Sequence, residues 1–359
     1  MTSQMGLYRS YGMLLAGALF PIWTGSHASL REKEEAEEDD DDEVERLSRE
    51  DAYWFPIMGS VVLFSLFLAF KYLPKEWVNR ILGGYMAVMA VLGVARSGVK
   101  IAKVAVGEAR WKKLDKWKLQ LTKNGVDEGH LSFTHLHMLA LPLGAAVSFA
   151  QLWTNHWILS NLIALSFSYN AISLLYIDSF ATGSILLMGL FVYDIWWVFG
   201  SKAVFGKGAD VMVTVATSFD APIKLLAPKD LAAPKDMSLL GLGDIVLPGI
   251  FIALALRFDY FLALKHSSTP FAPTSRFPKP YFLTCFLAYI AGLATTMWVM
   301  HTFRAAQPAL LYLSPACILA VLGCAAVRGE VGELWKYVDG EEDEGKAVKE
   351  GGSEVKKDQ

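Results

Sequence analysis

Residues 241–256 read Gly-Leu-Gly-Asp-Ile-Val-Leu-Pro-Gly-Ile-Phe-Ile-Ala-Leu-Ala-Leu, and Asp244 is the one charged residue among them. A charged side chain at the centre of a membrane helix costs about 2.5–3.5 kcal/mol on insertion scales, so such residues usually serve a function. The rest of the stretch is apolar enough to lie in a bilayer. It therefore predicts a transmembrane helix that carries a functional carboxyl group.

The whole chain has the composition of a membrane protein. Of its 359 residues, 53% are hydrophobic and 19% are charged, whereas a soluble domain carries about 25% charged residues. The charges concentrate in segments 31–51, 96–130 and 328–359. A span needs roughly 20 mostly apolar residues, and the candidate spans are 7–25, 54–72, 78–96, 135–153, 157–177, 183–201, 237–256, 281–301 and 308–327. We predict an all-α polytopic membrane protein with about nine transmembrane helices and no nucleic-acid partner.

Asp194 is a second carboxyl group inside a predicted span, within Gly189-Leu-Phe-Val-Tyr193-Asp194-Ile-Trp-Trp197. Two carboxyl groups on neighbouring helices suit an aspartyl protease. One, ionised, takes a proton from water as the water attacks the scissile carbonyl, and the other donates a proton to the carbonyl oxygen. Two such groups in a poorly solvated site share one proton, and the sequence leaves open which one is the base. Other charges are expected at span ends: Asp178, Arg257, Asp259 and Arg304.

The residues around Asp244 favour a weakened and accessible helix. Gly241 and Gly243 remove side-chain bulk, so another helix or a substrate backbone can approach. Pro248 lacks an N–H group, so the carbonyl of Asp244 loses its usual helical partner at the point where water must enter. Beside the other aspartate, Tyr193 supplies a hydroxyl group, although sequence neighbours point to different faces of a helix.

A third element, Gln307-Pro308-Ala309-Leu310, stands at the entry to the ninth predicted span. Proline fits the first turn of a helix, and alanine allows close approach between helices. Further along, Pro315 frees the carbonyl of Leu311. Taken alone, the element also fits a plain membrane helix that starts with proline.

Three motifs therefore occur in order, each in or at a predicted span: Tyr193-Asp194, Gly241-Leu242-Gly243-Asp244 and Pro308-Ala309-Leu310. Together they resemble the motifs of the presenilin and signal peptide peptidase superfamily. Further stretches resemble signal peptide peptidase rather than presenilin, and these are 156–161, 182–200, 212–216, 218–225 and 249–259. The resemblance covers about residues 54–330.

The resemblance implies an intramembrane aspartyl endopeptidase with Asp194 and Asp244 as its catalytic pair on spans six and seven. Active-site support or substrate binding is implied for Tyr193, Gly241, Gly243, Pro308, Ala309 and Leu310. The implied substrates are type II-oriented membrane helices, notably signal peptide remnants, cleaved without metal or organic cofactor. Membrane lipid, a second copy of the chain and quality-control proteins of the endoplasmic reticulum are further candidate partners. The link at Lys202 to Ala209 is longer than the family usually shows.

Charge runs divide the chain into five regions. Residues 31–51 hold thirteen acidic and four basic residues, which favours disorder. The first span is short and contains Pro21, and Ser26-His27-Ala28 resembles a signal peptidase site, so a removable signal peptide is the alternative there. The predicted regions are 1–30, the first span with its N-terminal tail; 31–53, an acidic disordered loop; 54–177, spans two to five with a basic cytosolic loop at 97–134; 178–330, a catalytic core of spans six to nine with a luminal loop at 202–236; and 331–359, a cytosolic tail, disordered from Asp339.

Lysine and arginine set the predicted orientation, because cytosolic loops carry an excess of them. Loops 97–134 and 257–280 are basic and are predicted to be cytosolic. With nine spans, the N-terminus is then luminal and the C-terminus cytosolic, while loop 202–236 is luminal despite its five lysines. Lys356-Lys357 resemble the dilysine retrieval signal of membrane proteins of the endoplasmic reticulum.

Other functions explain less of the sequence. Intramembrane aspartates also serve proton-coupled transporters, but the two halves of the chain show no matching interrupted helices. No His-Glu-x-x-His or Gly-x-Ser-x-Gly motif marks a zinc or serine protease. Three histidines fit an interfacial cluster better than a metal site, and these are His130, His135 and His137. A non-catalytic membrane scaffold or quality-control factor is the remaining alternative.

Two local patterns complete the predictions. Residues 211–215, Val-Met-Val-Thr-Val, are rich in β-branched side chains, which favour strands. A strand here would pair with an unwound substrate, and an ordinary luminal loop is an equal alternative. The three cysteines, Cys285, Cys317 and Cys324, all lie in apolar stretches, which favours packed thiols over disulfides.

Overall fold

The computed structural model describes residues 2–38, 46–107, 116–123, 126–201, 204, 211–219, 221–230, 236–267, 271–303 and 307–340. The helices are α1 (Thr2–Glu38), α2 (Arg49–Tyr72), α3 (Lys75–Val106), α4 (His135–Thr154), α5 (Trp157–Leu174), α6 (Phe180–Ile195), α7 (Val211–Ser218), α8 (Gly243–His266), α9 (Pro280–Phe303), α10 (Leu310–Arg328) and α11 (Val331–Lys336). The strands are β1 (Arg46–Leu47), β2 (Lys116–Lys123), β3 (Val126–Thr134), β4 (Tyr176–Ile177), β5 (Lys224–Pro228) and β6 (Met237–Gly241). They pair as β1 with β4, β2 with β3 and β5 with β6.

Eight helices within the described ranges are long and apolar enough to cross a membrane: α2 to α6, α8, α9 and α10. This confirms the prediction of a helical, multi-pass membrane protein. Helix α1 is not in that set, but Leu14, Ala18 and Ile22 on it are buried, and it packs against α5 and α8. Whether this helix is retained or removed as a signal peptide stays a prediction. The count of nine spans stays a prediction.

Helix α8 lies at the centre of the helical bundle. In its most apolar segment 78% of the residues are buried, whereas the corresponding share for α2 is 11%. Helix α8 contacts α1, α5, α9 and α10. A Cβ atom at Gly249 would lie 2.5 Å from the side chain of Ile172 on α5, so this close approach of α5 and α8 requires glycine. The central helix of the bundle therefore carries Asp244 in its first turn.

The seventh span starts later than predicted. Residues Met237–Gly241 form strand β6 rather than the first turn of a helix. Strand β6 pairs antiparallel with β5, from Lys224↔Gly241 to Pro228↔Met237. A short apolar strand cannot be told from the start of a buried helix by hydrophobicity. The predicted span at 237–256 therefore merged the strand with the helix.

Part of the predicted acidic loop is helical, so the prediction of disorder is wrong there. Helix α1 continues to Glu38. Within it, Glu32 pairs with Arg96 at 2.9 Å and with Lys100 at 3.1 Å, both on α3. Glutamate and alanine are also good helix formers. Glu50 and Asp51 of the predicted loop lie in the first turn of α2, and residues 39–45 lie outside the described ranges.

Residues 211–215 form neither the strand nor the ordinary loop that the sequence left open, because Val211–Ser218 forms helix α7. Val211 and Val215 are one helical turn apart and are both buried with Phe67 and Phe70 of α2. A helix brings residues four apart to the same face. Packing against α2 therefore outweighs the strand preference of β-branched residues. In the basic loop, β2 and β3 form an antiparallel hairpin that the sequence did not indicate.

Arg257 and Asp259 do not lie at a span end as predicted. Helix α8 continues to His266, and both residues are buried inside it. The Arg257 Nε donates to Asp339 Oδ2 at 2.7 Å. Asp259 accepts hydrogen bonds from two backbone N–H groups in the first turn of α9, at 3.1 and 2.8 Å. Asp339 is thus ordered and buried, contrary to the predicted disorder, and residues 341–359 lie outside the described ranges.

Candidate active site

Asp194 lies in the last turn of α6. The α-helix ends at Ile195, and the chain continues as a π-helix over Trp196–Gly200. Single turns of π-helix are rare in proteins as a whole, and those that occur are often at functional sites. Asp194 is 3% exposed, and its Oδ2 is buried without a hydrogen-bond partner among the described residues. Burying a carboxyl oxygen in this way is costly, which is typical of a position kept for function.

Asp244 lies in the first turn of α8, directly after the β5–β6 hairpin. The N-terminus of a helix stabilises a carboxylate through its dipole. The Leu242 N–H donates to the Ile223 carbonyl at 3.0 Å and ties this turn to the hairpin. A Cβ atom at Gly241 would lie 3.4 Å from Asp244 Oδ2. A side chain at this position would therefore be in van der Waals contact with the carboxyl group, and glycine leaves that space unfilled.

The two aspartates come together where α6 packs against α8. They are close enough for the charge of Asp194 to act on Asp244. Asp194 is buried, whereas Asp244 is half-buried. Two negative charges are costly at such a distance in a poorly solvated site, which favours one shared proton over two ionised carboxyl groups. The arrangement has the form that an aspartyl protease requires.

The Pro308-Ala309-Leu310 element lies at the same site. All three residues are buried, and α10, which starts at Leu310, packs against both α6 and α8. The backbone N–H of Leu310 interacts with the carboxyl group of Asp194. The element therefore contributes a polar backbone group to the aspartate pair in addition to starting a helix.

The surroundings of Tyr193 and Gly243 differ from those that the sequence suggested. A Cβ atom at Gly59 of α2 would lie 3.6 Å from the Tyr193 ring, so this ring helps α6 to pack on α2. The Tyr193 hydroxyl is still near enough to Asp194 for an electrostatic interaction. Among the described residues, a Cβ atom at Gly243 would meet only Leu247 of its own helix, at 3.9 Å. Gly243 thus borders open space rather than a neighbouring helix.

Tyr289 is a site residue that lies outside the three sequence motifs. It lies on α9 and is fully buried, and its hydroxyl donates to the carbonyl of Asp244 at 3.2 Å. This is the carbonyl that Pro248 leaves without a helical N–H partner. The sequence indicates the free carbonyl, but only the fold shows which residue binds it.

Asn161 of α5 is a second such residue, and it binds the β5–β6 hairpin. Its Nδ2 donates to the Leu226 carbonyl at 2.7 Å, and the Leu226 N–H donates to its Oδ1 at 2.8 Å. The backbone groups of Leu226 therefore face away from β6. Because Leu226 is paired with Leu239, the backbone groups of Leu239 must face away from β5. Among the described residues, Leu239 itself is 47% exposed.

The ionisable groups elsewhere do not form a comparable centre. Across the described ranges, no group of three His, Cys, Asp or Glu side chains could hold a metal ion. Cys285, Cys317 and Cys324 are free thiols.

The fold is shared with a solved structure. A solved structure of a presenilin family intramembrane aspartate protease matches it with a TM-score of 0.51. The match covers 88% of this chain and 99% of that chain at 15% sequence identity. At this identity the likeness concerns the fold alone, and the fold is that of presenilin-type proteins.

Sequence comparison identifies the family. The model of the signal peptide peptidase family matches residues 39–341. The signal peptide peptidase of Mus musculus is 39% identical over 339 residues, covering 92% of this chain and 84% of that protein. The Homo sapiens protein of the same name is 38% identical over 353 residues, covering 96% and 87%. A probable intramembrane protease of Schizosaccharomyces pombe is 36% identical over 334 residues, covering 93% and 96%.

The chain belongs to the signal peptide peptidase family. It is a multi-pass intramembrane aspartyl endopeptidase, and this assignment takes the place of the transporter and scaffold alternatives.

Proposed function

We propose that Asp194 and Asp244 are the catalytic pair that directs water against a peptide bond of a membrane-embedded substrate. The observation that carries this proposal is the meeting of α6, α8 and α10 at the pair. The two carboxyl groups are close enough to interact across α6 and α8, and the Leu310 N–H is close enough to interact with the Asp194 carboxyl group. Each of the three sequence motifs thus contributes a polar group to one place.

The shared proton sets the order of the reaction. The ionised carboxylate takes a proton from water, and the water oxygen attacks the carbonyl carbon of the scissile bond. The protonated carboxyl group donates to the carbonyl oxygen, which gives a tetrahedral diol. As the diol collapses, the C–N bond breaks and the amine leaves with a proton from the pair. The N-terminus of α8 and the Leu310 N–H stabilise negative charge during these transfers.

The outer edge of β6 is where we expect the substrate to bind. A helical substrate satisfies its own backbone and must unwind before a peptide bond can reach the pair. The backbone groups of Leu239 face away from β5, and Gly241 is two residues further along the same edge. An extended substrate segment paired with this edge would gain backbone hydrogen bonds as it loses helical ones. The edge leads directly to Asp244.

The substrate class that fits best is a type II-oriented membrane helix, such as a signal peptide remnant. The relatives from Mus musculus and Homo sapiens bear the name signal peptide peptidase, which supports it. Membrane lipid is the second partner, because α2 and α3 expose large apolar side chains along their length. These include Val61, Leu68, Val88 and Leu92. Such surfaces are costly in water and favourable in a bilayer.

Ala309→Leu is expected to lower kcat/KM by about 100-fold, because a larger side chain at this buried position displaces the Leu310 N–H from Asp194. The measurement is cleavage of a model signal peptide by the purified variant. Ala326→Leu is the matched control, since Ala326 lies on the same helix and is exposed; it should keep wild-type activity. Full activity of the Ala309 variant would show that the element only starts a helix.

We also propose that the protein resides in the endoplasmic reticulum, with a luminal N-terminus and a cytosolic C-terminus. An added Asn-x-Ser acceptor at residues 231–235 should then be glycosylated in microsomes, because this loop is predicted to be luminal. The same acceptor at residues 108–115, in the basic loop, should stay unmodified. The reverse pattern would overturn the orientation.

A further inference from the structure

Tyr289 on α9 binds the backbone carbonyl of Asp244, in the first turn of α8. An unpaired carbonyl in a buried site costs about as much as a lost hydrogen bond, and Pro248 creates such a carbonyl at Asp244. The Tyr289 hydroxyl fills the vacant donor position at 3.2 Å. The tyrosine is itself fully buried, so its hydroxyl is held in place by packing.

The surroundings of Tyr289 show why this contact is rigid. Three residues further along α9, a Cβ atom at Gly292 would lie 3.1 Å from the Leu313 side chain and 3.4 Å from the Tyr312 carbonyl of α10. Helices α9 and α10 are therefore in close contact beside the tyrosine. Because α10 also carries the Leu310 N–H, one packed unit of α9 and α10 reaches both aspartates.

We propose that Tyr289 is a positioning residue for catalysis: its hydroxyl holds the Asp244 backbone and thereby sets the carboxyl group of Asp244 against that of Asp194. Proline keeps the helix start open for water and substrate, and the tyrosine restores the lost anchor from the side. The hydrogen bond that the structure gives the Tyr289 hydroxyl is to the Asp244 backbone and not to its carboxyl group, which makes this a positioning role. The inference rests on the proposed role of Asp244 and adds a residue to it.

Tyr289→Phe removes the hydroxyl and keeps the ring, and it is expected to lower kcat by about tenfold, the effect of one lost hydrogen bond. The KM for a model signal peptide should change less than about twofold, since the substrate-binding edge of β6 is untouched. Tyr281→Phe is the matched control. Tyr281 lies on the same helix and is equally buried, but its hydroxyl donates to Glu330 instead, so this variant should keep wild-type kcat.

Testing Tyr289→Phe again in a Pro248→Ala protein shows whether Tyr289 positions Asp244 or supports the fold in general. Pro248→Ala supplies an N–H group four residues after Asp244, and this group can take the carbonyl as in a regular helix. In that background, Tyr289→Phe should cost less than about threefold in kcat, because the two donors replace each other. If Tyr289→Phe alone folds poorly, the same comparison within the Pro248→Ala background decides the question.

The inference is overturned if Tyr289→Phe keeps wild-type kcat, or if it costs the same in both backgrounds. Its failure is distinct from failure of the proposed function. An inactive Asp244→Asn variant beside a fully active Tyr289→Phe variant would remove the tyrosine and leave the aspartate pair. An active Asp244→Asn variant would remove both.

Discussion

Asp194→Asn and Asp244→Asn are each expected to lower kcat/KM by roughly 10,000-fold, the upper range for a general acid–base group. Asparagine keeps the shape of aspartate but neither accepts a proton from water nor passes one on. The double variant should be no worse than either single variant, because the two carboxyl groups act as one unit around one water molecule. Cleavage of a model signal peptide measures all three variants.

The loss should concern chemistry and not folding. Removing a carboxyl group from an apolar span eases insertion, so both variants should still bind substrate helices. Glu76→Gln is a suitable control, because it neutralises an exposed carboxyl group in the first turn of α3. Asp259→Asn is not neutral, since Asp259 binds the start of α9. Losses in the single variants that simply multiply in the double variant would contradict a shared water.

Asp339→Ala is expected to destabilise the folded protein by about 3–5 kcal/mol, because it leaves the charge of Arg257 buried and unpaired. The pair is 2.7 Å apart, and each side chain is 1% exposed. Two further hydrogen bonds hold the pair. Ser29 accepts one from Arg257 at 3.0 Å, and Tyr337 donates one to Asp339 at 3.0 Å. A denaturant titration of the purified protein measures the change.

Two comparisons show whether burial is the cause. Arg257→Met combined with Asp339→Leu should be more stable than Asp339→Ala, since it removes both charges together. Glu333→Gln breaks the Lys265–Glu333 pair, which is 3.0 Å long but 50% and 43% exposed, and it should cost no more than about 1 kcal/mol. Equal losses for the buried and exposed pairs would contradict this explanation.

The sequence predicts most of the helical spans and both aspartates for a simple reason. An apolar run of about 20 residues is a local signal, and a carboxyl group inside it is conspicuous because it is costly. The order of the three motifs then indicates that Asp194, Asp244 and Leu310 belong together. Pro248 even indicates that the Asp244 carbonyl needs another donor.

The missed features depend on residues far apart in the chain. Tyr289 and Asp244 are 45 residues apart, and Arg257 and Asp339 are 82 apart. Periodicity and hydropathy report only on local neighbours, so neither contact has a sequence signal. Strand β6 was missed for a related reason, because it becomes distinct from α8 only through its pairing with β5.

Cleavage of a synthetic signal peptide by the purified chain in lipid vesicles, with a metal chelator and a serine-directed reagent present, tests the paired-aspartate mechanism most directly. We predict cleavage within the apolar segment by the wild-type protein, inhibition by an isostere of the tetrahedral intermediate, and no products from the Asp194→Asn variant prepared in parallel. Cleavage that stops with the chelator and returns with zinc, or equal cleavage by the Asp194→Asn variant, would contradict it.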